Sequence, residues 1–215
     1  MNEYFEKLII DPEERANFQF YETSSGLLLT ESCIRDRKPI AIDLFAGAGG
    51  FSLGLIQAGF NVIAALENDM PSIHTYLVNL GAFPVEMHFI EESDAVRAEK
   101  YFKKAIMKEE SGVISISGVS GSNRQLACHD MPWFPGVRHM FVGDARKITG
   151  GEILKKIGYK RGDVDLVVGG PPCQGFTFAN KKRCPEDPRN NLTLEFIRLV
   201  LDIQPKTFCM ENVPG

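Results

Sequence analysis

Pro39-Ile40-Ala41-Ile42-Asp43-Leu44-Phe45 runs into Ala46-Gly47-Ala48-Gly49-Gly50, and Phe51-Ser52-Leu53-Gly54-Leu55-Ile56-Gln57-Ala58 follows. The first stretch is an apolar run of strand length, the glycines mark a turn, and the third stretch begins a helix. Gly59 is placed to end that helix, and Phe60 to Leu66 reads as a second strand ending at Glu67. Strand, glycine loop, helix and strand make one βαβ unit.

The same alternation continues outward. Met70 to Leu80 has the apolar spacing of a helix. Arg138 to Val142 reads as a third strand ending in Gly143-Asp144-Ala145, and Gly151 to Ile157 as a short helix. Asp163 to Val168 is the fourth strand. A helix over 190–202 carries Leu192, Phe196, Leu199, Val200 and Ile203 as its apolar positions, with Asn190 as N-cap. Lys206 to Met210 is the fifth strand, followed by Glu211-Asn212-Val213. Strands alternating with helices predict an α/β fold: a doubly wound, mainly parallel, Rossmann-like sheet. Residues 1–38 are read as an N-terminal extension on a domain spanning 39–215. In the extension Phe5, Leu8 and Ile9 have helical spacing, and Leu27 to Leu29 has the character of a short strand. Residues 82–137 read as an insertion: a charged, helix-friendly stretch from Glu91 to Glu110, a strand-like Val113 to Ser117, then a loop rich in Gly, Ser, Asn and Pro.

Composition narrows the function. The chain has 215 residues, enough for one domain with its own core. No apolar run approaches the roughly 18 residues of a membrane span, and the first residues lack the basic start and apolar core of a secretion signal. Five cysteines at 33, 128, 173, 184 and 209 form no CxxC pair, so no cysteine zinc site or disulfide framework is indicated and no metal is expected. A reducing compartment fits: the cytoplasm of a bacterium, or the nucleus of a eukaryote. A net charge of −4 does not advertise a nucleic-acid partner.

In an open parallel sheet, ligands bind outside the carboxyl ends of the strands, where strand order reverses. The strand exits here are distinctive. The glycine loop lets backbone approach a ligand and aims a helix N-terminus at it, although Ser52 stands where a GxGxxG motif has its third glycine. Glu67 is placed to take ribose hydroxyls, or to be a solvated strand-end charge. Asp144 is a ligand contact or a turn-forming residue. The fourth strand runs into Gly169-Gly170-Pro171-Pro172-Cys173-Gln174-Gly175-Phe176-Thr177. The prolines stop the strand and set a cysteine at its exit, either a nucleophile or an inert buried thiol. If the first and fourth strands are neighbours, Cys173 and the glycine loop face one crevice. Glu211 ends a strand of buried type, where partial desolvation would raise its pKa and let it donate a proton near neutrality. Lys181, Lys182, Arg183 and Arg189 form a basic cluster, a solvated loop or a set of phosphate contacts.

These residues resemble the cytosine-C5 DNA methyltransferase family. Asp43 to Ser52 is similar to its first motif. Glu67-Asn68-Asp69, Gly143-Asp144-Ala145, Pro171-Pro172-Cys173-Gln174, Arg189-Asn190-Asn191-Leu192 and Glu211-Asn212-Val213 resemble the next five, in the family's order. The resemblance implies S-adenosylmethionine as cofactor, DNA as partner, and a place in restriction-modification. It implies a pocket of Asp43, Phe45, Ala46, Gly47, Gly49 and Gly50, with Glu67 on the ribose, Asp144 on the adenine amino group, and Asn68, Ala145 and Pro171 alongside. Many relatives have an aromatic residue where Asn68 stands.

The resemblance further implies Cys173 as nucleophile on carbon 6 of a flipped-out cytosine, Glu211 at ring N3, Asn212 orienting backbone, and DNA contacts by Gln174, Lys181, Lys182, Arg183 and Arg189. The family continues beyond the sixth of these motifs with target-recognition and cofactor-completing segments. The expectation is therefore a sheet cut off after its fifth strand, in a fragment or one subunit of a split enzyme completed by a partner. The alternatives are a non-catalytic cofactor-binding or regulatory subunit, an RNA cytosine-5 methyltransferase and, at the level of fold, a dinucleotide oxidoreductase.

Overall fold

The computed structural model describes residues 6–8, 20–22, 28–30, 38–110, 136–172 and 191–212. Three short strands, β1 (Glu6–Leu8), β2 (Phe20–Glu22) and β3 (Leu28–Thr30), form an antiparallel meander. Strand, not the helix suggested by the spacing of Phe5, Leu8 and Ile9, is found at 6–8. Short apolar runs of this kind do not distinguish the two periods.

Among the described residues the domain's sheet has six strands: β4 (Ile40–Leu44), β5 (Asn61–Glu67), β6 (Gly81–Phe89), β7 (Val137–Val142), β8 (Leu166–Gly169) and β9 (Thr207–Met210). Their order is β6-β7-β5-β4-β8-β9 and every pairing is parallel. Helices α1 (Gly50–Gln57), α2 (Met70–Leu80), α3 (Glu92–Glu110), α4 (Gly150–Ile157) and α5 (Asn191–Ile203) alternate with the strands. Strand residues point alternately to two cores. Ala41, Val62, Met140 and Val168 pack with Ile56, Ile73, Tyr76 and Leu80 of α1 and α2. Ile42, Leu66, Phe141 and Val167 pack with Ile153, Leu154, Phe196 and Leu199 of α4 and α5. Burial on both faces explains why these strands read as continuous apolar runs. The α/β, doubly wound expectation holds.

One strand was not legible. Gly81 to Phe89 falls in the stretch read as insertion, yet it enters the sheet as β6. Pro84 argues against a central strand, and the structure shows how it is accommodated. Gly81 pairs with Val137, the ladder shifts, and pairing resumes at Glu86 with His139. The exposed Pro84 thus sits in a bulge on an edge strand. The segment expected to be the fifth strand is therefore the sixth of the sheet.

The helix ends follow local chemistry. Asp69 caps α2, accepting from Ser72 N at 3.0 Å and Ser72 Oγ at 2.7 Å. Thr149 and Glu152 close a reciprocal capping box on α4, and Gly158 ends that helix at φ 78°. At the opposite edge from β6, all four residues of β9 are exposed. Phe208 is 55% exposed, and Leu194 and Leu201 of α5 are 63% and 67% exposed.

Candidate active site

Strand order reverses beside β4. From β4 the chain passes through β5 to β6, inserts β7 between β6 and β5, then crosses to place β8 on the other flank of β4. Leu44 pairs with Gly169, so the two strands end level. The first and fourth predicted strands are neighbours, as the crevice argument required. Gly169 makes the approach possible, since a Cβ there would lie 2.3 Å from Leu44 O. Buried Pro171 and exposed Pro172 lead out of β8. Cys173, Gln174, Lys181, Lys182, Arg183, Arg189 and the Asn190 cap lie outside the described residues, as does the strand expected at Val113 to Ser117.

The loop after β4 is built for close approach. Phe45 is held at φ 58°, a left-handed conformation unusual for a non-glycine residue and a mark of strained functional turns. Gly47 (φ 54°) and Gly49 (φ 98°) share that region. Their surroundings differ. A Cβ on Gly49 would meet Leu80 Cδ1 at 2.7 Å and Tyr76 Cδ2 at 2.9 Å, so Gly49 lets α1 pack on α2. A Cβ on Gly47 or Gly50 would meet nothing within 4 Å. These two glycines border open space at the helix N-terminus. Ala46 is buried, and its N–H donates to Leu66 O at 3.0 Å.

Glu67 ties the loop to the second strand. Its carboxylate accepts from Gly47 N at 2.8 Å, Asn68 N at 2.7 Å and Asp69 N at 2.9 Å. A carboxylate has about four acceptor positions, so three backbone bonds orient it while leaving capacity toward the crevice. Asn68 is exposed, and its side-chain oxygen accepts from Arg97 at 2.7 Å. Arg97 also pairs with the buried Asp94 at 3.1 Å, fixing the loop to α3. Gly143 N donates to Glu67 O, which aligns the exit of β7 with that of β5. Asp144 then caps a 3-10 turn (Ala145–Lys147), and its carboxylate forms a two-pronged pair with Arg146 at 2.6 to 3.0 Å. The Arg146 hydrogen bonds hold the Asp144 pKa below the usual carboxylate range. Ala145 is buried in the core beneath.

Asp43 lies under the loop rather than on it. It is fully buried, with Oδ2 accepting from Ser52 Oγ at 2.7 Å and Oδ1 lacking a partner. Ser52 spends its one hydroxyl proton on Asp43, so Tyr76, 2.6 Å away, donates to Ser52. Burial raises the Asp43 pKa to about 7, against the lowering effect of the Ser52 bonds. Desolvation also raises Tyr76, which stays a donor. Gly49 has no side chain to cap α1, and Asp43 supplies that acceptor from the strand. Ser52, which breaks the dinucleotide motif, is therefore a link in a buried hydrogen-bond chain.

Glu211 corrects one expectation. Its carboxyl was expected to be partly desolvated, but the residue is exposed, and β9 is an edge strand among the described residues. It still stands at the crevice. Its N–H donates to Gly169 O at 3.0 Å, and its Oε2 would lie 3.2 Å from a Cβ on Gly170. Asn212 follows, also exposed. Ser52, Tyr76, Arg97 and Arg146 were not read as site residues. Only Ser52 carried a signal, as the departure from GxGxxG.

The family model for C-5 cytosine-specific DNA methylase matches residues 40–104 and 138–215, well over half of the chain. The putative type II methyltransferase M.MjaORF1200P of Methanocaldococcus jannaschii is 33% identical over 192 residues, covering 81% of this chain and 48% of its own length. The type II methyltransferase M.XorII of Xanthomonas oryzae is 32% identical over 83% of this chain and 29% of its own. M.HgiGI of Herpetosiphon aurantiacus is 33% identical over 80% of this chain and 88% of its own. The chain thus spans about half, or less, of the length of most curated relatives it matches. The matched segments contain the glycine loop, Glu67, Asp144, the Pro171-Pro172-Cys173 sequence and Glu211. The chain belongs to the C-5 cytosine-specific DNA methylase family.

Proposed function

We propose that this chain carries the catalytic, cofactor-binding portion of a DNA cytosine-5 methyltransferase that acts through Cys173. The observation that carries the reading is the bond from Gly47 N to the Glu67 carboxylate at the end of β4, one strand from the Pro-Pro-Cys exit. S-adenosylmethionine, when bound, supplies an electrophilic methyl group. Gly47 and Gly50 leave room for it, Glu67 accepts from the ribose hydroxyls, and Asp144 accepts from the adenine amino group.

The remaining chemistry belongs to the chain's own residues. Carbon 5 of cytosine is a poor nucleophile. The Cys173 thiolate adds to carbon 6 and makes carbon 5 electron-rich, a task suited to a soft nucleophile. Glu211 binds or protonates ring N3 and so draws charge away from carbon 6 as the adduct forms. Asn212 orients the neighbouring backbone. After transfer, a base removes the carbon 5 proton, and the electron pair left behind forms the 5,6 double bond and expels the Cys173 thiolate. A base inside a duplex cannot reach a crevice at the strand ends, so the target is flipped out. Gln174, Lys181, Lys182, Arg183 and Arg189 are placed in sequence to contact the DNA around it. The apolar residues exposed on α5 and β9, together with the greater length of the relatives, support completion by further structure, in the same chain or a partner, that carries target recognition.

Two measurements test this. Calorimetry should detect S-adenosylmethionine binding that Gly47→Val weakens. A duplex carrying 5-fluorocytosine, incubated with cofactor and the completing part, should give a covalent adduct that Cys173→Ser abolishes. Cofactor binding without any adduct would favour a non-catalytic cofactor-binding subunit. An adduct on RNA alone would move the substrate to RNA.

A further inference from the structure

Glu86, His88 and His139 meet where β6 pairs with β7, at the sheet edge opposite β9. Glu86 and His88 are two residues apart and so share a face of β6. Across the ladder Glu86 faces His139, and His88 faces Phe141. The Phe141 side chain belongs to the core under α4 and α5, so all three side chains project on that side. His88 Nε2 lies 3.1 Å from His139 Nδ1, and His139 Nδ1 lies 3.5 Å from Glu86 Oε2. All three candidate ligand atoms fall within 4.8 Å of one another. A tetrahedral zinc ion with Zn–N bonds of about 2.0–2.1 Å separates neighbouring ligand atoms by about 3.3 Å, the spacing of the two short contacts.

The rings are held in place. His88 stacks on Phe141 with centroids 4.6 Å apart and on His139 at 5.4 Å. Both rings are partly buried, and neutral imidazole is the ligating form of histidine. The neighbouring charges are Lys156 and Arg138, which oppose a cation, and Glu86, which favours one. A hydrogen bond between the two imidazoles accounts for one of the contacts but leaves the Glu86 carboxylate against an uncharged ring. A cation answers all three groups at once.

We propose that Glu86, His88 and His139 bind one divalent transition-metal ion of the zinc class, with water completing the coordination beside exposed Glu86. The ion would join β6 to β7 where the ladder resumes after the Pro84 bulge, pinning an edge strand whose pairing is otherwise short. The site is separate from the strand-end crevice and independent of the methyl-transfer reading.

Cobalt(II) tests it, because its visible absorption reports ligand type. The chelator-stripped, reduced full chain should bind one equivalent with the bands of a nitrogen–oxygen tetrahedral site, and zinc should displace it. His88→Asn and His139→Asn should each weaken binding about a hundredfold. Glu86→Gln, a change at an exposed residue, should weaken it about tenfold with unchanged far-ultraviolet circular dichroism. Absence of these bands, a thiolate charge-transfer band alone, or binding unaltered in Glu86→Gln and His88→Asn would overturn the proposal.

Discussion

Asn in place of Asp43 would test the buried carboxyl under the glycine loop. Burial raises its pKa from 3.8 to about 7. In the unfolded chain the group loses its proton near pH 4, whereas the native state keeps it until about pH 7. Over that interval the native state binds more protons, so rising pH destabilises the fold. The stabilising contribution is full below pH 4 and is gone above pH 7. At 1.36 kcal/mol per pH unit, the raised pKa costs roughly 4 kcal/mol at pH 8 and roughly 2 kcal/mol at pH 5. Asp43→Asn removes this dependence, because its oxygen can take the Ser52 bond without a charge. Its NH2 then occupies the position of Oδ1, which has no partner, at a pH-independent cost of about 1–3 kcal/mol.

Urea unfolding of both proteins at pH 5 and pH 8 gives the comparison, and subtracting one protein from the other removes every other titrating group. The variant should gain on the wild type by roughly 2–3 kcal/mol between the two pH values. A difference that stays constant within about 0.5 kcal/mol, the usual limit of additivity, would refute a native pKa near 7 and with it the reading of Asp43 as a desolvated helix cap.

Other substitutions separate the roles of neighbouring residues. Gly49→Ala forces a Cβ into Leu80 and Tyr76 at a positive φ and should cost about 2–4 kcal/mol in urea unfolding. Gly47→Ala meets open space and should cost only about 1–2 kcal/mol from backbone strain. Glu67→Gln turns one acceptor oxygen into a donor facing backbone N–H groups, and should lower stability by about 1–3 kcal/mol while abolishing calorimetric cofactor binding. Arg146→Ala should let the Asp144 pKa rise toward its ordinary value, read by carboxyl NMR titration, since the Arg146 bonds are what lower it.

Legibility in the sequence tracked the number of constraints on each segment. The β4, β5, β7 and β8 runs are buried on both faces, so their composition was restricted to apolar residues and their type was evident. β6 was hidden because an edge strand tolerates proline, and its bulge broke any regular pattern. β9 was recognised, but its neighbours could not be read from its own residues. The burial assigned to Glu211 failed because burial is a property of what lies beyond a strand. Arg97 and Arg146 were invisible for another reason: a surface arginine has no periodicity, and its role comes from meeting Asn68 or Asp144 in space. His88 and His139, 51 positions apart, meet only through the register of two parallel strands.

The two carboxylates assigned to the adenosyl group are prepared differently. Glu67 is held by three main-chain N–H groups, one from the glycine loop and two from the exit of its own strand. Those bonds need not break when a hydroxyl pair arrives at the outer lone pairs, so binding there requires little reorganisation. Asp144 has its two oxygens engaged by the half-exposed side chain of Arg146. An adenine amino group must share those oxygens with the guanidinium or displace part of it into water. Exposed ion pairs contribute little to stability, so displacement is inexpensive, but it makes the adenine end the adjustable one. The ribose end is therefore the rigid anchor of the proposed site. Loss of Glu67 should eliminate cofactor binding outright, while Arg146→Ala should shift the affinity by less than about tenfold. An Arg146 variant that abolished binding with the fold intact would reverse that order and make the guanidinium itself a contact.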